Sequence, residues 1–300
     1  MVIKTPDPVS GKHNTGKHAR RPRHQGRWRE LLRNPFAFAG TLIFLFFLTM
    51  AFVGPLVAPY GFENQDIAAR LKPPDATHFF GTDQYGRDVF SRILAGSRGI
   101  FLLGGIGTLL ATIIGTSIGL FAGYYGRMWD EILMRALDIL LAFPPLLLAL
   151  VLLATVGSSL TNLIVVVTIL YVPMLARVVR SMVLDLKTTE FVEAAKTRGE
   201  KNSYILFREI LPNALAPLLV EMSMRFSYAI FLVASLGFLG LGVQPPSPDW
   251  GLQINEARAY FSTAPWMLLF PAGTISLLVI ATNLMSDGLR HILQPDIGKQ

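Results

Sequence analysis

Two ionisable residues stand inside an otherwise apolar stretch: Glu221 and Arg225, four positions apart in LLVEMSMRFSYAIFLVASL. Helical spacing places them on one face, and each would cost about 2.5 to 3.5 kcal/mol alone at the centre of a membrane helix. They must therefore satisfy each other as a structural pair or face a cavity or pathway; both readings stand on the residues alone. Other chemistry is sparse. The chain has no cysteine, which excludes disulfides, thiolate metal sites and cysteine nucleophiles. Its five histidines do not form a ligand pair: His13, His18 and His24 fall in a polar N-terminal stretch, and His78 and His291 stand alone. A phosphate loop, GxxxxGK[ST], is absent, because the Gly-Lys pairs at Gly11, Gly16 and Gly298 are followed by His, His and Gln. ATP is not expected to bind here, and no triad, paired-carboxylate site or zinc motif suggests an enzyme.

The second stretch with functional character is polar and lies between apolar runs: KTTEFVEAAKTRGEKNSYILFREILP, Lys187 to Pro212. It predicts two short helices hinged at Gly199. Thr188 or Thr189 can cap the first, with Glu190 and Glu193 near its positive end, Lys196 and Arg198 near its negative end, and Gly199 leaving in a left-handed conformation. Asn202 or Ser203 can cap the second, whose Tyr204, Phe207, Ile210 and Leu211 share a face, and Pro212 marks the start of the next helix. Ala194 and Ala195 give the first helix a small-residue surface open to close approach by another protein. A plain solvated connector needs neither two capped helices nor a glycine joint.

These residues must be positioned by membrane spans. At 52% hydrophobic composition and a mean hydropathy of +0.46 over 300 residues, the chain is too apolar for an ordinary soluble domain and too long for one anchor. The net charge of +7 resides in residues 1–33, where nine Lys and Arg outweigh Asp7 and Glu30. Directly before a span, such a tail reads as a topology signal rather than a nucleic-acid site. Phe36 to about Leu56 is span one, and it reads as uncleaved. Residues 78–98, HFFGTDQYGRDVFSRILAGSR, with Asp83 facing Arg87 and Asp88 facing Arg92, predict an amphipathic helix at the membrane surface. The 28 uncharged residues between Arg98 and Arg127 form span two, where Gly115, Gly119 and Gly123 suit close helix packing. Arg127, Asp130, Glu131 and Arg135 read as a polar turn. The 38 uncharged residues from Ile139 to Ala176 suit two short crossings that turn near Gly157 to Asn162, with Pro144, Pro145 and Pro173 bending or interrupting helices. Span five runs from about Pro212 to Leu236 and span six from about Pro265 to Met285. With the N-terminus inside, the inner segments hold 20 Lys and Arg and the outer ones six, which places both termini and the Lys187–Pro212 segment in the cytoplasm.

Glu193-Ala194-Ala195, Gly199 four residues later and Leu211-Pro212 resemble the EAA loop of permease subunits of bacterial ABC importers. FGTDQYGRDVFSR (80–92), SLGFLGLGVQPPSPDWG (235–251) and SDGLRHILQPDI (286–297) resemble signatures of the dipeptide and oligopeptide permease family, specifically the C-type partner of a B/C pair. One departure is Glu209, where relatives often carry His before the terminal Ile-Leu-Pro. The resemblance spans roughly residues 30 to 297. It implies an all-α polytopic bacterial inner-membrane protein with six transmembrane helices, the type I ABC importer permease fold and a cytoplasmic coupling-helix loop. It further implies a homologous permease partner, one or two ATPase subunits holding ATP and Mg, and an extracytoplasmic binding protein, with no cofactor in this chain. Glu193, Ala194, Ala195, Gly199, Leu211 and Pro212 would then couple to an ATPase. The expected organisation is a basic cytoplasmic tail (1–33), the first span and an extracytoplasmic segment (34–97), a permease core (98–290) carrying the coupling loop (187–212), and a short cytoplasmic tail (291–300). The implied cargo is a dipeptide or oligopeptide, with glutathione, nickel chelates or sugars as alternatives on the same architecture. An ion-driven secondary transporter is the competing class. It requires intramembrane carboxylates along the path, for which only Glu221 qualifies.

Overall fold

The computed structural model describes residues 34–293, which are helical with short connections. The basic tail 1–33, with its topology signal and three histidines, and the last residues, 294–300, lie outside the described residues. Asn34 opens the first helix, α1 (Pro35–Val57), by accepting the amides of Phe36 and Ala37 at 3.1 and 3.3 Å, with Pro35 in the first turn. α2 runs unbroken for 37 residues, Val89–Tyr125, through a π turn at Phe101–Gly105. α3 (Arg127–Leu141) and α4 (Pro145–Val156) are bent against each other by 86°. Then come α5 (Leu160–Leu186), α6 (Glu190–Thr197), α7 (Asn202–Phe238), α8 (Trp250–Ala257) and α9 (Trp266–Leu293). Five helices are long and apolar enough to cross a membrane, and the bent α3–α4 pair counts as a sixth. The turn near Gly157 falls where the apolar run predicted it. The third crossing is different: α4 has 12 residues, about 18 Å, so it cannot span alone. Pro144 and Pro145 set the bend, whereas Pro173 lies inside α5 without interrupting it. The expected polar turn at Arg127 to Arg135 is instead the start of α3, in which Glu131 and Arg135 pair with each other at 2.7 Å and two aspartates pair with α5. Asp130 holds Arg180 in a two-pronged pair, and Asp138 holds Arg177.

The central seam is α2 against α5. A Cβ on Gly115 would stand 2.8 Å from the Leu175 Cβ, on Gly119 2.5 Å from the Ala176 carbonyl oxygen, and on Gly123 2.8 Å from the Val183 Cβ. Helix backbones approach this closely only where side chains are absent, which is the role the spacing of these glycines predicted.

At the end of the bundle where α2 begins, residues 58–88 and α8 form a polar cap. The surface helix expected over 78–98 does not exist in that form. Thr82 and Asp88 pair as a lone β-bridge, and the helix starting at Val89 continues straight into span two, its Ser91 to Ser97 stretch buried beneath Trp250 and neighbouring residues. Asp83 does pair with Arg87, Nε to Oδ2 at 2.6 Å. Asp88 does not pair with Arg92: it caps α2 by accepting the Ser91 amide at 2.7 Å and holds His78 at 3.0 Å. Arg92 turns to Asp83 (2.5 Å) and to Glu256 of α8 (3.1 Å), and Glu256 also receives Arg87 at 2.8 Å. The result is a buried four-charge cluster of two guanidiniums and two carboxylates. Beside it Asp249 caps α8 through the Leu252 amide at 2.8 Å. Full burial pushes the Asp249 carboxyl up to about 6, against the opposing pull of the Leu252 and Gly251 amides and of the Arg92 charge.

Candidate functional site

At the opposite end, α6 projects between the ends of α5 and α7. Thr189 occupies its N-cap position, but its hydroxyl donates back to the Leu186 carbonyl at 2.6 Å; the backbone carbonyl of Thr189 alone receives the Val192 and Glu193 amides. The C-terminus is a Schellman motif. Gly199 has φ +79°, its N–H donates to the Lys196 carbonyl at 2.9 Å, and the Glu200 N–H donates to the Ala195 carbonyl at 3.2 Å. The left-handed glycine is therefore where the sequence placed it. The face of the helix is not. Val192 and Ala195 are fully buried against the chain's own π turn at Ile205–Ile210, while Glu190, Glu193, Ala194 and Lys196 are exposed. Ala195 thus holds α6 to the body of the protein, and the small-residue surface left for another molecule is Ala194, flanked by Glu193 and the part-exposed Phe191.

The second expected helix also differs. Lys201 is its N-cap, and Asn202 uses its side chain to accept the Tyr124 hydroxyl at 3.0 Å. The helix does not stop before Pro212 but continues as α7. The wide π turn ends at Ile210, so Pro212, which is exposed, falls in the first turn of the following α-helical stretch, where a missing N–H is tolerated. The same π turn rotates the face: Ile205, Leu206 and Ile210 are buried, Leu211 is part-buried against the core, and Phe207 points outward at 61% exposure. Lys187 donates to the Gly123 carbonyl at 3.0 Å, and Arg198 approaches Glu209 at 3.6 Å across the hinge. Glu209, the residue that departs from the usual pattern, is thus the counter-charge that links the two halves of the segment.

Halfway along the bundle, Glu221 and Arg225 do pair. One carboxylate oxygen of Glu221 accepts both Nε, at 2.7 Å, and Nη2 of Arg225. The third guanidinium nitrogen, Nη1, meets only the thioether of Met174 at 3.1 Å. Arg225 borders a cavity of about 410 Å³ between α4, α5 and α7 that also has Tyr171, Met174 and Tyr228 in its wall. Sequence reasoning found the ion pair but not these partners, because Tyr171 and Met174 belong to a different span and an apolar run gives no sign of which residues will face a tyrosine on another helix. Among the described residues no group of three or more His, Asp or Glu could hold a metal ion.

The arrangement is therefore a short exposed helix joined directly to the two long helices that wall a midspan cavity, without a reactive centre in either place. Residues 115–299 match the family model of binding-protein-dependent transport system inner membrane components. The chain belongs to that family. Residues 24–74 match the N-terminal transmembrane domain of oligopeptide transport permease C. A dipeptide transport system permease protein of Alkalihalophilus pseudofirmus is 43% identical over 272 residues, covering 89% of this chain and 90% of that one. A glutathione transport system permease protein of Pectobacterium atrosepticum is 43% identical over 271 residues, covering 90% of each, and one from Escherichia coli is 42% identical over the same length. The subunit is thus a multi-pass membrane permease component, and the family match takes in α6, both walls of the cavity and the α2–α5 seam from Gly115 onward.

Proposed function

We propose that this chain is the membrane subunit of an ATP-driven importer of short peptides, coupled through α6 to cytoplasmic ATPase subunits. The observation that carries the reading is mechanical. α6 is connected at one end to α5, which bears Tyr171 and Met174, and at the other to α7, which bears Glu221 and Arg225. A displacement applied at Glu193 and Ala194 reaches both walls of the cavity through α5 and α7, the helices on either side of α6. Glu193 and Ala194 form the contact, Gly199 sets the exit angle, Val192 and Ala195 fix α6 to the turn at Ile205–Ile210, and Leu211 and Pro212 follow that turn at the root of α7. The charge bias along the chain orients α6 and both termini to the cytoplasm. A homologous permease completes the path, a binding protein delivers the cargo outside, and the ATPase subunits bind ATP and Mg. The dipeptide and glutathione permeases are equally similar in identity, and the N-terminal match is to an oligopeptide permease domain, which supports a dipeptide or oligopeptide as cargo, with glutathione as the alternative.

The test is uptake of labelled dialanine into proteoliposomes that hold the complex of this chain, its partner permease and its ATPases. Uptake is expected to require ATP and the binding protein, and Glu193→Trp is expected to lower binding-protein-stimulated ATP hydrolysis while leaving membrane insertion intact. Uptake driven by an ion gradient without ATP would overturn the reading in favour of a secondary transporter.

A further inference from the structure

The cavity at Arg225 is lined by three groups that can donate a hydrogen bond and have no strong acceptor. Arg225 Nη1 is bonded only to the Met174 sulfur, a weak acceptor. Tyr171 is 5% exposed, borders the cavity, and its hydroxyl has no hydrogen-bond partner among the described residues. Tyr228, 5.5 Å beneath the guanidinium, likewise makes none. Neither hydroxyl is sealed off: each keeps accessible surface and is free to donate to a group that enters the cavity. Three donors on two helices therefore converge on a space of about 410 Å³, otherwise walled by apolar groups such as Leu146 and Phe231. We propose that this cavity holds the carboxylate of a short peptide in transit, accepted by Arg225 Nη1 and the hydroxyls of Tyr171 and Tyr228.

The charge balance fits a transit site rather than a trap. Glu221 already neutralises Arg225 through Nε and Nη2, so the site offers directed donors without net positive charge. A peptide zwitterion has no net charge either, and displacing a thioether costs little. The carboxylate gains one charge-assisted hydrogen bond to a guanidinium whose charge Glu221 already balances, which keeps binding weak enough for passage. Both walls belong to the helices that flank α6, so a movement there separates Tyr171 from Arg225 and Tyr228 and dissolves the site. The proposal rests on the peptide-importer reading above and adds where in the membrane the cargo is held.

This chain has no cysteine, so alkylation is read on this subunit after the complex is separated. Leu146→Cys places a single thiol in the cavity wall. In the purified complex of both permeases and the ATPases, without binding protein, alkylation by N-ethylmaleimide is timed with and without dialanine. Dialanine at about twice a millimolar Kd leaves about a third of sites open, so alkylation slows about threefold. Dialanine amide, which lacks the carboxylate, is expected to give no protection, and Tyr171→Phe to remove the protection by dialanine. Should Tyr171→Phe not assemble, Tyr228→Phe, at a position 55% exposed, removes a second donor without disturbing the core. Equal alkylation rates with and without dialanine, in a complex that imports dialanine, overturn the site while leaving the importer reading intact. Equal protection by the amide overturns the carboxylate assignment. Lack of ATP-driven dialanine uptake by the unsubstituted complex overturns the importer reading instead.

Discussion

Replacing Gly119 by alanine tests the α2–α5 seam on which both ends of the molecule depend. The new Cβ would lie 2.5 Å from the Ala176 carbonyl oxygen and 2.8 Å from the Val179 Cβ. Ordinary contact begins near 3.4 Å, so the helices must part locally by about 1 Å. They are pinned above and below by the equally close contacts at Gly115 and Gly123. Overpacking of this kind costs about 1 to 3 kcal/mol, and alanine returns about 0.5 to 1 kcal/mol over glycine in a helix. The net loss is about 1 to 2 kcal/mol. Gly273 in α9 supplies the control, because a Cβ there meets nothing within 4 Å and only the helical gain remains. The two variants are expected to differ by about 2 kcal/mol, or about 4 to 8 °C at the sensitivity of soluble chains approaching this size. Heating in detergent followed by gel filtration of the surviving fraction reads that difference. Equal midpoints, or Gly119→Ala outlasting Gly273→Ala, would refute the claim that backbone proximity holds the seam.

Three further outcomes are expected. At the midspan pair, Glu221→Gln and Arg225→Gln should each reduce the amount of folded subunit more than the double replacement does, since a single change leaves a buried charge alone; strict additivity in gel-filtration yields would contradict the pairing. In the cap, the Asp249 carboxyl is raised from an unfolded value near 3.8 to about 6, so its protonated form favours the folded state. That contribution is complete below pH 3.8 and is lost as pH rises through 6, a total of about 3 kcal/mol, of which thermal midpoints at pH 4.5 and 7 should reveal about 2 kcal/mol; Asp249→Asn should flatten the difference. At the hinge, a side chain on Gly199 meets open space but must adopt φ +79°, so Gly199→Val should cost about 1 to 2 kcal/mol in local order and Gly199→Asn less, read as hydrogen exchange at the Glu200 amide; equal exchange in both would show that the left-handed turn is not what glycine supplies.

What could be read from the residues alone follows from the range of each interaction. The apolar runs, the four-residue spacing of the seam glycines, the Gly199 turn and the Asp83–Arg87 and Glu221–Arg225 pairs are set within a few residues of chain, and these were legible. The π turn at Ile205–Ile210 has no compositional mark, yet it turned Phe207 outward, carried the helix past Pro212 and gave α6 a surface on which to bury Ala195. The Asp88–Arg92 pair failed because better partners existed: an amide of its own helix end for Asp88, and for Arg92 both Asp83 and Glu256, the latter 164 residues away. The donors at the midspan cavity were hidden for the same reason, since Tyr171 and Arg225 meet only once α5 and α7 are packed.

The distance in sequence between Arg92 and Glu256 also bears on how the subunit is made. Synthesis delivers Asp83, Arg87 and Arg92 early and Glu256 only after a further 164 residues, when most spans already exist. Until then two guanidiniums share one carboxylate at the membrane edge, and the cap cannot close. Completion of this cluster is thus a late event that waits for α8, and a subunit truncated before Glu256 leaves two guanidiniums in the cap with one carboxylate between them.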